Sequence, residues 1–184
     1  MIEKWEDGVT LEEYVKSDGF DESEVPRIAV ELAHALNALN KAEVVRRELT
    51  PERILVRDSD KSLVLFDFET ATFAYDTYSR EMPWKRDPYL AKEVASPDVD
   101  VRADLFSWAQ VVIFCLTERK PQETYRPDFF AKLAVPKSVM QALSICTQFQ
   151  RDSRVFGTKA SGTTTDFESL LALIEKWGST AGSK

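Results

Sequence analysis

Chemistry in this 184-residue sequence is concentrated where charged side chains interrupt apolar runs. The stretch RRELTPER holds Glu48, Thr50 and Arg53, and FDFET sets Asp67 at the end of an apolar run with Glu69 two residues on. Carboxylates so placed can accept a proton or hold a cation. Taken alone, Asp67 reads first as an exposed strand-end acid. A second cluster, SREMPWKRDPY, interleaves Arg80, Lys85 and Arg86 with Trp84 and Tyr89. These residue types dominate partner-binding hot spots, the plain alternative being a loop with incidental charge. Cys115, Cys146 and the single His34 make no metal-ligand spacing, and both cysteines lie in apolar helical patterns. Zinc is therefore excluded, no metal or cofactor is expected, and the thiols read as core.

The elements that must position these groups follow from periodicity. Thr10 with Glu13 reads as a capping box opening a short helix, with Gly19 and Phe20 in the loop beyond. From about Ser23 to Lys41, Ile28, Ala29, Leu32, Ala35, Leu36 and Leu39 recur at helical spacing, with Pro26 in the first turn. Two short apolar runs, Ile54 to Val56 and Leu63 to Phe66, flank the polar turn RDSDKS and predict a hairpin. Residues 69–91 have no steady period and read as a long exposed loop, a length that is usually functional or mobile. The stretch ADLFSWAQVVIFCLT is apolar on nearly every side, which marks a helix wrapped by others at the centre of the core. PKSVMQALSICTQF predicts a further amphipathic helix, and Thr165 with Glu168 caps a last one through Phe167, Leu170, Leu171, Ile174 and Trp177.

Length and composition bound the rest. The chain is long enough for one domain with its own core, and 43% hydrophobic with 30% charged residues excludes disordered and fibrous classes. A net charge of −7 argues against nucleic acid and anionic lipid as partners. No run reaches the 18 to 20 apolar residues of a membrane span, and MIEKWEDG has neither the basic start nor the apolar stretch of a secretion signal. A reducing cytoplasm is the expected location.

RRELTPERILV resembles the catalytic loop of the eukaryotic-type protein kinase fold, usually written HRDLKPENIL. Arg46 stands at the His and Arg47 at the Arg. Glu48 takes the place of the catalytic Asp and Thr50 that of the Lys. Pro51 and Glu52 match, and Arg53 replaces the metal-binding Asn. VLFDFETAT is similar to the DFG segment, with Asp67 and Phe68 kept and Glu69 for Gly; PYLAKEV resembles the APE segment, with Glu93 kept. DVRADLFSWA resembles the start of the large lobe's central helix, including Asp104, and QRDSRV the segment whose Arg, here Arg154, pairs with Glu93. No GxGxxG loop or VAIK strand precedes these segments. The resemblance thus implies a mainly α, kinase-like C-lobe: a helical bundle with a small β-hairpin and the small lobe absent. Residues 1–9 are expected as a hinge-like segment, 10–177 as the lobe, and 178–184 as a disordered tail.

It also implies roles. Arg47, Glu93, Asp104 and Arg154 are expected to be structural: a Glu93–Arg154 ion pair anchoring the long loop, and Asp104 accepting from the backbone around Arg46 and Arg47. Simple surface charge and a helix first-turn Asp are the alternatives. The departures bear on phosphoryl transfer, which is positioning plus charge stabilisation. The extra methylene of Glu48 moves its carboxylate by roughly 1 Å, a misplacement that can cost about a hundredfold. A cation at Arg53 about 4 Å from a divalent ion repels it by about 8 kcal/mol at an effective dielectric near 20. Thr50 removes a Lys used near the transferred phosphate, and Glu69 replaces a Gly that eases the backbone turn. The expected arrangement is an Arg53 guanidinium forked onto Asp67.

On that basis the chain is expected to be no enzyme but a pseudokinase: a protein-binding or scaffold module. Its partner, or a second copy, would be held on the exposed cleft face or on the 69–91 loop, with Trp84, Lys85, Arg86 and Tyr89 as contact residues. The alternative is a Ser/Thr kinase-like phosphotransferase whose small lobe comes from another chain or from upstream sequence. Nucleotide sensing without transfer is a third, weaker reading.

Overall fold

The computed structural model describes residues 6–73, 87–159, 162–164 and 166–180. The fold is mainly α, and among the described residues no sheet exceeds three strands. Strand β1 (Gly8–Thr10) leads into α1 (Leu11–Val15), where Thr10 and Glu13 form the capping box that their spacing predicts. Helix α2 (Val25–Lys41) follows a single 3-10 turn, with Pro26 in its first turn. Its apolar stripe buries Ile28, Ala29, Leu32 and Leu36.

After β2 (Val44–Val45) and a 3-10 turn at Pro51–Arg53, β3 (Ile54–Arg57) and β4 (Leu63–Leu65) form the hairpin, in the register Ile54↔Leu65 and Val56↔Leu63. The segment expected as a hinge supplies a third strand: β1 pairs with the free edge of β3, Gly8 opposite Arg57 and Thr10 opposite Leu55. Three residues including a glycine carry too little period to show this in sequence. A Cβ on Gly8 would meet the Val56 carbonyl oxygen at 2.3 Å, so the close approach of the strands requires glycine. A second small pairing joins β2 to β5 (Thr72–Phe73) inside the stretch expected to be a loop.

Helix α3 (Val101–Thr117) is the axis of the lobe: every residue from Ala103 to Cys115 is buried. Asp100 caps its start by accepting from the Arg102 amide at 2.9 Å, and Glu118 ends it in the left-handed region at φ 54°. Trp108, fully buried, donates its indole N–H to the Ala29 carbonyl at 2.9 Å and so joins α3 to α2. Helix α5 (Lys137–Cys146) packs against this axis, α4 (Pro127–Phe130) against α5, and, beyond the β6–β7 ribbon (Gly157–Lys159 and Gly162–Thr164), α6 (Phe167–Thr180) against α2 and α5. Both cysteines are buried, and burial pushes the Cys115 thiol up to about 12 and Cys146 higher still.

Two boundaries differ from expectation. Thr165 lies outside the described residues, and the α6 amide of Ser169 is instead met by Asp166 Oδ1 at 2.7 Å. The helix also runs on to Thr180, so 178–180 are helical and only 181–184 of the expected tail fall outside the described residues. Gly178 permits this by letting α6 lie against α2, since a Cβ there would meet Val30 Cγ2 at 2.9 Å.

Gly8→Val is expected to lift β1 from β3 and lower stability by about 1–3 kcal/mol in urea unfolding. Hydrogen exchange should speed up at the Asp58 amide, which donates to the Asp7 carbonyl at 3.0 Å.

Candidate functional site

The site is built on a buried carboxylate. Asp104, on the first turn of α3, accepts the Arg46 backbone N–H on Oδ2 at 2.7 Å and the Arg47 N–H on Oδ1 at 2.9 Å. Burial pushes its pKa up to about 7, against the opposing pull of the two amides and of the Arg46 charge. Held there, Arg47 takes the left-handed backbone at φ 68°, a conformation a bulky residue keeps only where its surroundings impose it. Its side chain donates from Nε to the Val94 carbonyl at 3.0 Å and from Nη2 to the Ser96 carbonyl at 3.1 Å, so the 46–53 loop is tied to the segment after residue 91.

The hairpin brings the second acid. Beyond β4, the Phe66 amide donates to the Arg53 carbonyl at 3.4 Å, and the chain turns through Asp67 at φ 59°. Arg46 holds this turn: its Nη2 donates to the Phe66 carbonyl at 2.6 Å and its guanidinium lies 4.5 Å from the Phe68 ring centroid. The Arg46 side chain is fully buried, and burial is the main cause that lowers its pKa. Among the described residues its Nε and Nη1 have no hydrogen-bond partner. Nothing in the sequence beyond an Arg at an unusual place signals this clamp.

Arg53 closes the arrangement. Its Nη1 is paired with Glu48 Oε2, and its Nε lies 3.2 Å from Asp67 Oδ2. The guanidinium therefore bridges two carboxylates, where the sequence suggested a fork on Asp67 alone. Each acid takes one edge, so one charge serves both. Glu48, Thr50 and Arg53 line a cleft of about 190 Å³ together with Glu52, Asp87 and Leu90, three residues the sequence did not single out for it. Thr50 is buried, while Glu69 is exposed beyond the turn.

Phosphoryl transfer in this fold implies a divalent ion, and the residues present do not fit one. Among the described residues no group of three or more His, Cys, Asp or Glu side chains is placed to hold a metal. Asp67 and Glu48 already face a guanidinium, which a divalent ion at about 4 Å would meet at a cost of about 8 kcal/mol for an effective dielectric near 20.

Arg154 Nη1 pairs with Glu93 Oε1, with side-chain exposures of 1% and 10%, and Arg154 also donates to the Gln148 carbonyl at 2.8 Å and the Arg102 carbonyl at 2.9 Å. Tyr89, expected on an exposed binding surface, is a core residue instead, its ring edge-to-face with Phe114 at 6.2 Å. The apolar run of α3 needs cover on that side, and the tyrosine ring supplies it. Arg80, Trp84, Lys85 and Arg86 lie outside the described residues.

Glu93→Ala is expected to cost about 3–5 kcal/mol in urea unfolding, because it leaves a buried guanidinium unpaired, and Glu93→Leu with Arg154→Met should recover part of that loss. Asp104 carries a pH signature. Its folded pKa lies above the unfolded value, so its contribution is full below about pH 4 and is lost as pH rises through about 7. The stability advantage of the wild type over Asp104→Asn should accordingly be larger at pH 5 than at pH 8.

Comparison with known proteins adds what geometry alone does not give. A family model described as "Protein kinase domain" matches residues 1–174. The serine/threonine-protein kinase unc-51 of Caenorhabditis elegans is 29% identical over 132 residues, 66% of this chain and 15% of that protein. The serine/threonine-protein kinase PknA of Nostoc is 28% identical over 131 residues, 67% of this chain and 23% of that protein. MAP kinase-activated protein kinase 2 of Drosophila melanogaster is 31% identical over 106 residues, 54% of this chain and 30% of that protein. The chain thus spans under a third of the length of each of these relatives. These matches overturn the expectation that the chain is no enzyme: they point to a kinase enzyme. That expectation weighed four replaced side chains as loss, although a carboxylate still stands at both acidic positions, Glu48 and Asp67. By the match that runs through nearly all of it, the chain belongs to the protein kinase domain family.

Proposed function

We propose that this chain is the large lobe of a serine/threonine-type phosphotransferase that works when a small lobe is set over its cleft, supplied by another chain or by sequence ahead of this one. The observation that supports it most is the common guanidinium: Glu48 and Asp67 come from two separate elements, and Arg53 holds both at one place. In the transfer, an acceptor hydroxyl oxygen forms a bond to the terminal phosphorus of a nucleoside triphosphate while the bridging P–O bond breaks toward the diphosphate. The hydroxyl proton goes to Glu48, the acid on the cleft wall. Asp67 is held by the same guanidinium, 3.2 Å from its Nε.

The partner surface is the cleft face itself. Phe66 and Phe68, on either side of Asp67, are 39% and 42% exposed, and Leu55 on the central strand is only partly covered. Apolar side chains of this size at the mouth of a cleft suit a covering protein surface. A cytoplasmic setting accords with two free, buried thiols, and no helix among the described residues is long and apolar enough to cross a membrane.

The decisive assay joins the chain to the small lobe of a kinase relative and follows label from γ-labelled ATP onto a basic protein acceptor. Transfer that falls about a hundredfold or more in Glu48→Gln and in Asp67→Asn is the expected result. Chains joined to the small lobes of two different relatives, folded and without transfer, would defeat the proposal.

A further inference from the structure

The Arg53 side chain is fixed at both its base and its tip. Its amide donates to the Thr50 carbonyl at 3.0 Å, and its carbonyl accepts from the Phe66 amide at 3.4 Å. The backbone that carries it is therefore tied to the 3-10 turn on one side and to the strand end before Asp67 on the other. From that root the guanidinium meets Glu48 with Nη1 and Asp67 with Nε, and its side chain stays only 29% exposed. A second guanidinium stands behind the first. Arg46, fully buried against Phe68, has Asp67, Glu48 and Arg53 within electrostatic reach, and its Nε and Nη1 have no partner among the described residues. Two acids thus face two cations already in place.

We propose that Arg53 is the resident cation of this cleft and closes Asp67 to divalent metal ions for as long as it remains seated. A guanidinium differs from a metal ion in being tethered. It cannot be washed out or chelated, it satisfies the acids at a fixed stoichiometry, and it yields only if the side chain swings away. The covalent root at the strand end makes that swing a local event, confined to the side chain. The cleft is then under the control of whatever draws Arg53 off its two acids, an anionic group delivered to the cleft mouth being the chemistry able to do so. The inference deepens the phosphotransferase reading by naming what regulates the cleft, and it rests on that reading for its meaning; its test needs no transfer.

The test is a titration of the intact chain with Mn²⁺ alone, free ion being read from its paramagnetic resonance signal. The wild type and Asp67→Asn should take up Mn²⁺ indistinguishably, whatever the acidic surface binds weakly. Arg53→Asn should gain one further equivalent, at least tenfold tighter than any wild-type site, and Asp67→Asn added to it should remove the gain. Arg53→Lys, which keeps the charge, should stay closed, and Arg53→Gln gives a second opened variant should the asparagine disturb folding as judged by circular dichroism. Asp67-dependent uptake of Mn²⁺ by the wild type would overturn the proposal without any variant at Arg53. Folded Arg53→Asn and Arg53→Gln without the extra site would overturn it as well. Absence of transfer in the lobe-joined chain together with the expected Mn²⁺ pattern would remove the phosphotransferase reading and leave the closed site standing.

Discussion

The acceptance of two consecutive backbone amides by Asp104 is the constraint on which the site depends. The carboxylate belongs to the most buried helix of the lobe, and the amides belong to the loop that carries Glu48 and Arg53. A loop at the surface would otherwise have the freedom of its kind. Anchored to the core axis, it inherits the rigidity of α3, and Arg47 is held in a backbone region that costs free energy elsewhere in proteins. The raised pKa of Asp104 is the counterpart of that placement: a charge sunk in the core is tolerated because it has backbone donors to receive.

From that anchor the charges run outward in alternation. Asp104 lies under Arg46, Arg46 reaches over to the turn at Asp67, and Arg53 joins Asp67 to Glu48. Three acids and two guanidiniums of known position share a small volume, and neighbours of opposite sign limit the cost of placing any of them there. The same arrangement makes single substitutions poorly separable, since each removes a partner from more than one group. Beside the carbonyls that Arg47 bonds, Arg154 against Glu93 is a simpler, more deeply enclosed pair, and Arg154 ties Glu93 to the Gln148 carbonyl just past α5 and to the Arg102 carbonyl on α3.

Much of this was legible in the residues. Helical period located α2, α3 and α5 to within a few residues, because an apolar stripe at three and four can be buried in few other ways. The capping box at Thr10 and the hairpin at Ile54 and Leu63 were legible because both signals are local. What escaped was long-range. Pairing of β1 with β3 depends on strands from distant parts of the chain, and the glycine that permits it carries no period. The burial of Tyr89 depends on Phe114 arriving from α3, so an aromatic in a charged stretch read as surface. At the site, motif likeness indicated Asp67 and Arg53 as neighbours, but the use of both guanidinium edges and the clamp from Arg46 are matters of side-chain direction that spacing does not encode.

The two thiols sit in the same interior that anchors the site, one on α3 and one on α5, with both ionisations suppressed by burial. An alkylating reagent needs both access and thiolate, and here it obtains neither until the helices separate. The cysteines therefore act as a clock for opening of the lobe's interior, one that rearrangement of side chains at the cleft mouth leaves untouched.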